Sequence, residues 1–160
     1  MQKRVYKLGS VCRDKATGLK GTLTHWMMDM SGDVHYLFQP KGLTDERQPI
    51  EALCLNRARI LSCPEETVEV PFKILGSKVT DKASGFTGMA IAFIRHLNGC
   101  FHVEIQPSGT LPSKKPILAR EFDLRGCVGK EVAVLTAAEK KASVQKNPSP
   151  MPRPTIKARF

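Results

Sequence analysis

The chain has five cysteines (Cys12, Cys54, Cys63, Cys100 and Cys127) but no CxxC pair. Zinc sites of the finger type need ligands at short, recognisable spacing, so neither a metal nor a cofactor is expected. An odd cysteine set without regular spacing reads as buried thiols in a reducing compartment, not as a disulfide framework. The chain also lacks any run of about 18 apolar residues, which excludes a membrane-spanning helix. The opening Met1-Gln2-Lys3-Arg4-Val5-Tyr6 has no apolar signal core, so secretion is not expected. Aromatic residues are scarce, at 6% with a single tryptophan. No phosphate loop, nucleophile motif or paired-carboxylate motif is present. No histidine has a cysteine or carboxylate at a spacing that marks a triad. These absences argue against an enzyme and against a small-molecule substrate.

What is there is a repeat. Leu8-Gly9-Ser10 and Asp14-Lys15-Ala16-Thr17-Gly18 return as Leu75-Gly76-Ser77 and Asp81-Lys82-Ala83-Ser84-Gly85, at an offset of 67 residues. The offset holds downstream: Gly32, His35, Gln39 and Pro40 match Gly99, His102, Gln106 and Pro107, and Pro49-Ile50 matches Pro116-Ile117. Constant register means one small fold written twice. The expected organisation is a first unit over residues 1–62, a linker or edge strand over 63–73 and a second unit over 74–129. A short helix or strand followed by an extended tail fills 130–160. Units this small bury only about 60% of their surface and are marginal alone, so they should pack on each other or on a partner.

Local patterns within each unit are those of β structure. Asp-Lys-Ala-Thr/Ser-Gly is a turn signal, because Asp and Ser/Thr bond back to nearby backbone and Gly takes positive φ. Long β-rich runs follow, Leu19 to Met28 and Phe86 to Arg95, with Gly21 and Gly88 near their starts where a strand bends or bulges. A turn at Met30 to Asp33, or Leu97 to Cys100, leads into a strand of period two. Val34, Tyr36 and Phe38 lie on one face and His35, Leu37 and Gln39 on the other. Phe101, Val103 and Ile105 repeat the apolar face, and His102, Glu104 and Gln106 the polar one. Pro40 and Pro107 end these strands. A polar loop follows, then a last short strand around Ala52–Ile60 and Leu118–Cys127. Val68, Val70 and Phe72 alternate through the linker. Thr136-Ala137-Ala138-Glu139 fits a capping box and predicts a short helix to about Ala142.

The net charge of +10 is uneven. Residues 1–62 carry +4, residues 63–73 carry −2, residues 74–129 carry +3 and residues 130–160 carry +5. Half of the excess therefore sits in the last fifth of the chain. Lys146 to Phe160 contains Pro148, Pro150, Pro152 and Pro154 and no acidic residue, the composition of an extended arm. Contact with a polyanion and simple solubilisation both fit such a charge.

The opening of each unit, apolar-Gly-x-x-Val/Cys-x-Asp-Lys-Ala-Thr/Ser-Gly-x-x-Gly, resembles the KOW-type start of SH3-like barrels in ribosomal and transcription-elongation proteins. It resembles more closely small phage and prophage proteins, through Leu75-Gly76-Ser77-Lys78-Val79-Thr80-Asp81-Lys82-Ala83-Ser84-Gly85-Phe86-Thr87-Gly88, then Leu97-Asn98-Gly99-Cys100 and Gln106-Pro107. The likeness covers about residues 7–61 and 74–127, and not the linker or the tail. The first unit departs from it, with Asp33 where the second has Cys100. The resemblance implies an all-β chain of two tandem SH3-like barrels, a phage origin and a location in the virion or host cytoplasm. It supplies no active residues.

The resulting expectation is a non-enzymatic assembly module that binds protein subunits of a larger complex. The tail residues Lys146, Arg153, Lys157, Arg159 and Phe160 are its candidate partner contacts. His35, Gln39, His102 and Gln106 form a candidate contact face, with Trp26 and Phe93 read either as stacking platforms or as core. Lys15 and Lys82 are candidate phosphate contacts if the chain instead binds nucleic acid. A phage inhibitor of a host defence or a host enzyme is the third reading.

Overall fold

A computed structural model describes residues 2–70 and 75–129. The expected helix at residues 136–142 and the tail contacts Lys146, Arg153, Lys157, Arg159 and Phe160 lie outside the described residues.

The described chain is all-β. Strands β1 (Gln2–Tyr6), β2 (Val11–Asp14), β3 (Lys20–Asp29), β4 (Val34–Pro40), β5 (Leu53–Asn56) and β6 (Ile60–Leu61) make up the first stretch. Strand β7 (Glu65–Glu69) follows, then β8 (Lys78–Asp81), β9 (Thr87–His96), β10 (Phe101–Gln106), β11 (Arg120–Asp123) and β12 (Cys127–Gly129). Each repeat forms an open antiparallel sheet, in the order β6-β2-β3-β4-β5 and β12-β8-β9-β10-β11. The single last strand expected in each unit is in fact two. A 3-10 turn, Arg57–Arg59 or Leu124–Gly126, splits it, capped by the side chain of Asn56 or Asp123. The linker strand is real over Glu65–Glu69 and pairs with β1, which local pattern did not mark.

Glycine decides where the long strands bend. A Cβ on Gly21 would stand 2.3 Å from the Gln39 carbonyl oxygen, and one on Gly88 2.2 Å from that of Gln106. Only a residue without Cβ lets these backbones approach so closely. A bulge follows three residues later in both: the pairing register shifts between Leu23 and His25, and opposite Glu104 and Ile105. The bulge explains why Leu23 and Trp26, three apart, are both buried.

The repeats join through the second halves of their long middle strands, beyond the stretches that pair with β2 and β8. β3 and β9 pair antiparallel, with His25 opposite His96, Trp26 opposite Arg95, Met27 opposite Ile94, Met28 opposite Phe93 and Asp29 opposite Ala92. Met27 and Ile94 are equivalent at the repeat offset. The seam therefore runs about a local pseudo-twofold axis through that pair, like the isologous contact of a symmetric dimer. Ten strands become one sheet. The hairpin tips reinforce the symmetry, since Leu97 packs over Gly9 and the equivalent Met30 over Gly76. Buried residues from both repeats, among them Leu23, Trp26, Tyr36, Phe38, Phe93, Val103 and Ile105, fall in one contiguous cluster. Tyr36 reaches its edge, where Tyr6 N–H donates to its hydroxyl at 3.0 Å and ties β1 to the sheet.

Candidate functional site: the histidine-lined sheet face

Residues opposite one another on paired strands project to the same side of a sheet, so the register maps the face away from the core. The central row reads Asn56, His35, Met27, Ile94, His102, Asp123 across six strands. It is a pseudo-palindrome about the twofold axis. Above it lie Cys54, Leu37, His25 and His96, and below it Asp29, Ala92, Glu104 and Glu121. All four histidines of the chain therefore share one face.

Three of them converge. The His25 and His96 rings stand 5.2 Å apart, and the His96 and His102 rings 4.5 Å apart. Glu121 lies between the last two. Its Oε1 is 2.7 Å from His96 Nε2 and 2.5 Å from His102 Nδ1. One carboxylate oxygen accepts from both rings, which requires His96 to carry its proton on Nε2 and His102 on Nδ1. Burial pushes the Glu121 carboxyl up, but the hydrogen bonds from His96 and His102 outweigh it and the net shift is downward. His25 moves down as well, through burial first and the neighbouring His96 second.

The equivalent positions in the first repeat are Asp29, His35 and Cys54. They do not converge in the same way. Asp29 Oδ2 stands 3.6 Å from His35 Nε2, while Asp29 Oδ1 caps the turn by accepting from the N–H groups of Ser31 and Asp33. Cys54 is exposed, and Cys63 and Cys100 are half-buried, so only Cys12 and Cys127 fit the expectation of buried thiols.

The other expected site residues fall as follows. His35 and His102 point away from the core and are half-buried. Gln39 and Gln106 are staples: each donates through Nε2 to a loop carbonyl, Ile50 O or Ile117 O, at 2.6 Å. Trp26 and Phe93 are fully buried, so they belong to the core and not to the contact face. Their strands are covered on that side by the shared apolar cluster, which leaves no ring face for a base. Lys15 and Lys82 are exposed in their turns. The neighbouring Asp14 and Asp81 are buried turn caps that accept from Thr17 and Ser84 respectively. Asp14 is also gripped by Arg59 through two bonds of 3.0 and 2.6 Å, an interaction whose repeat-equivalent residue is Gly126.

A groove of about 620 Å³ lies where β1 meets this face, lined by Lys3, Arg4, His35, Asn56 and Arg57. Its cations are largely committed. Lys3 Nζ donates to Gly32 O at 2.6 Å, and Arg4 and Arg57 both pair with Glu65.

No protein-family model, no curated protein and no solved structure matches the chain. The reading of the face therefore rests on its own chemistry. His25, His96, Glu121 and Asp123 were not marked as site residues from the sequence. No spacing along the chain announces them, because strand pairing is what brings them together: β9, β10 and β11 of the second repeat assemble His96, Glu121 and Asp123, and the seam adds His25.

Proposed function

We propose that this chain is a non-enzymatic interaction module of a phage assembly, a minor component of a virion or other large complex. In this reading each five-strand unit is a small SH3-like barrel. The outward face of the joined sheet docks on a protein subunit, and the basic arm of residues 146–160 makes a second contact. One observation carries the reading: an ordered, pseudo-symmetric face places all four histidines with Met27, Leu37 and Cys54 on a single ten-stranded platform. A surface mixing imidazole, thioether and short aliphatic groups suits protein contact, where charged residues are depleted at the centre.

The test is incorporation of the tagged chain during particle production. Charging the face on both sides of the seam with Leu37→Arg and Glu104→Lys should abolish incorporation while the chain remains folded. Lys114→Glu, in the exposed loop between β10 and β11, should leave it intact. Normal incorporation of the face variant would overturn the proposal.

Nucleic-acid binding is the rival, favoured by the exposed Lys15 and Lys82 in equivalent turns and by the net charge of +10. It requires affinity for DNA or RNA that falls steeply with salt as phosphate contacts release counterions. Binding of that kind, lost in a Lys15→Gln, Lys82→Gln double variant, would replace the first reading.

A further inference from the structure

We propose that His96, His102 and Glu121 form a binding site for one borderline transition-metal ion, with zinc as the physiological candidate. The inference is independent of the proposed docking role. Three adjacent strands, β9, β10 and β11, each present one ligand type. His96 Nε2, His102 Nδ1 and a Glu121 oxygen all lie within 4.8 Å of one another. Two imidazoles and one carboxylate make a recognised zinc donor set that leaves a fourth position open.

The geometry needs only small adjustment. Zinc bonds of about 2.0–2.2 Å in a tetrahedron put ligand atoms roughly 3.3 Å apart. The two ring nitrogens now stand 2.7 and 2.5 Å from Glu121 Oε1. Each of these two N···O pairs must open by less than about 1 Å to admit the ion at that spacing, while the two ring nitrogens, within 4.8 Å of each other, settle to the same spacing, and Glu121, with its side chain 40% exposed, has room to adjust. The protons now shared with Glu121 would move to the opposite ring nitrogens, His96 Nδ1 and His102 Nε2, so each ligand stays a neutral imidazole.

The surroundings favour a cation. Glu104 is the cross-strand neighbour of Glu121, and Asp123 that of His102, although Asp123 is held by Arg125 at 3.1 and 2.8 Å. His25, its ring tilted 54° to that of His96 at 5.2 Å, is the nearest further imidazole. Nitrogen-rich donors of this kind discriminate against Mg²⁺ and Ca²⁺, which prefer all-oxygen shells. The equivalent positions of the first repeat, Asp29, His35 and Cys54, do not form a second such set among the described residues. The expected stoichiometry is therefore one ion per chain.

The experiment uses the full chain, stripped with chelator, and titrates it with ZnCl₂ by calorimetry and with Co²⁺ by visible absorption. We expect one saturable site, tetrahedral Co²⁺ bands without a thiolate charge-transfer band, and Zn²⁺-dependent shifts of the His96 and His102 ring resonances but not of His35. Glu121→Gln and His102→Gln should each weaken Zn²⁺ by more than about tenfold, the lower bound seen even for second-layer partners of metal ligands. Denaturation of both variants in chelator establishes that they fold, and the wild-type ring resonances decide the question if either does not. The proposal is overturned by the lack of saturable binding, by a thiolate band, by ring shifts confined to other histidines, or by undiminished affinity in folded variants. In those cases Glu121 is a hydrogen-bonded bracket between β9, β10 and β11 and nothing more.

Discussion

Replacing Gly88 by alanine should destabilise the chain far more than replacing Gly85, three residues earlier. An added Cβ at Gly88 would meet Gln106 O at 2.2 Å, Gln106 C at 2.6 Å and Pro107 N at 2.8 Å. These are backbone atoms and cannot rotate away. To reach an ordinary contact of about 3.5 Å, β9 and β10 must part by roughly 1 Å. That breaks the ladder locally, at a cost of about 1 kcal/mol for each of two or three bonds. The Gln106 staple to Ile117 O is anchored at the same point. Its loss adds about 1 kcal/mol, and lower entropy of the unfolded chain returns about 0.4–1 kcal/mol, leaving a net loss of about 2–3.5 kcal/mol. Gly85 differs, because its φ is +73° and nothing lies within 4 Å of an added Cβ. Its cost is the left-handed conformation alone, about 1–2 kcal/mol before the same offset. Urea denaturation followed by fluorescence of Trp26, the single tryptophan and fully buried, measures both. Gly21→Ala should repeat the Gly88→Ala result, with Gln39 O at 2.3 Å. A loss at Gly88 no larger than that at Gly85 would refute the close-approach argument.

Two further outcomes follow from the turn aspartates. Arg59 lowers the Asp14 carboxyl well below the usual range, with Thr17 adding to it, and hydrogen bonds from Ser84 lower Asp81. Groups with depressed folded values contribute stability above their ordinary value of about 3.8 and lose it as pH falls through the folded one. The denaturation midpoint should therefore decline progressively below about pH 4, and a midpoint flat to pH 2 would contradict the capping role. The second outcome is an exchange between the repeats. Arg59→Gly should lower the melting temperature by removing the two-pronged grip on Asp14. Gly126→Arg should raise it, because an added Cβ there meets only Asp81 Oδ1, at 3.4 Å. Melting curves showing no change, or the opposite signs, would reject the equivalence of the two positions.

Much of each repeat was legible in local pattern. The alternation of Val34 to Gln39 and of Phe101 to Gln106 gave the buried and outward faces correctly, because period two reports burial on one side of a strand. Asp14 and Asp81 read as turn caps for the same local reason. The split of the last strand by Arg57–Arg59 and Leu124–Gly126 was missed, since a single 3-10 turn carries no period of its own. The seam was missed because the choice of β9 as partner for β3 is a long-range event. One trace of it was present. Ala90, Ala92, Phe93 and Ile94 are all buried, so β9 is apolar on both faces, as a strand does when it lies at the centre of a larger sheet. Within the histidine cluster only the His25–His96 contact depends on that pairing, whereas His96, His102 and Glu121 meet through β9, β10 and β11 of one repeat. Trp26 and Phe93 show the opposite limit, because an aromatic residue in mid-strand has the same sequence signature whether it stacks on a ligand or fills a core.

The β3–β9 seam makes the two repeats one sheet, and amide hydrogen exchange tests it most directly. If β3 and β9 are the shared centre of one sheet, the amides of residues 25–29 and 92–96 should exchange among the slowest in the chain and open together, at the global unfolding free energy. Should they exchange fast while β4 and β10 remain protected, the repeats are separate sheets, and the histidine face does not exist as a single surface.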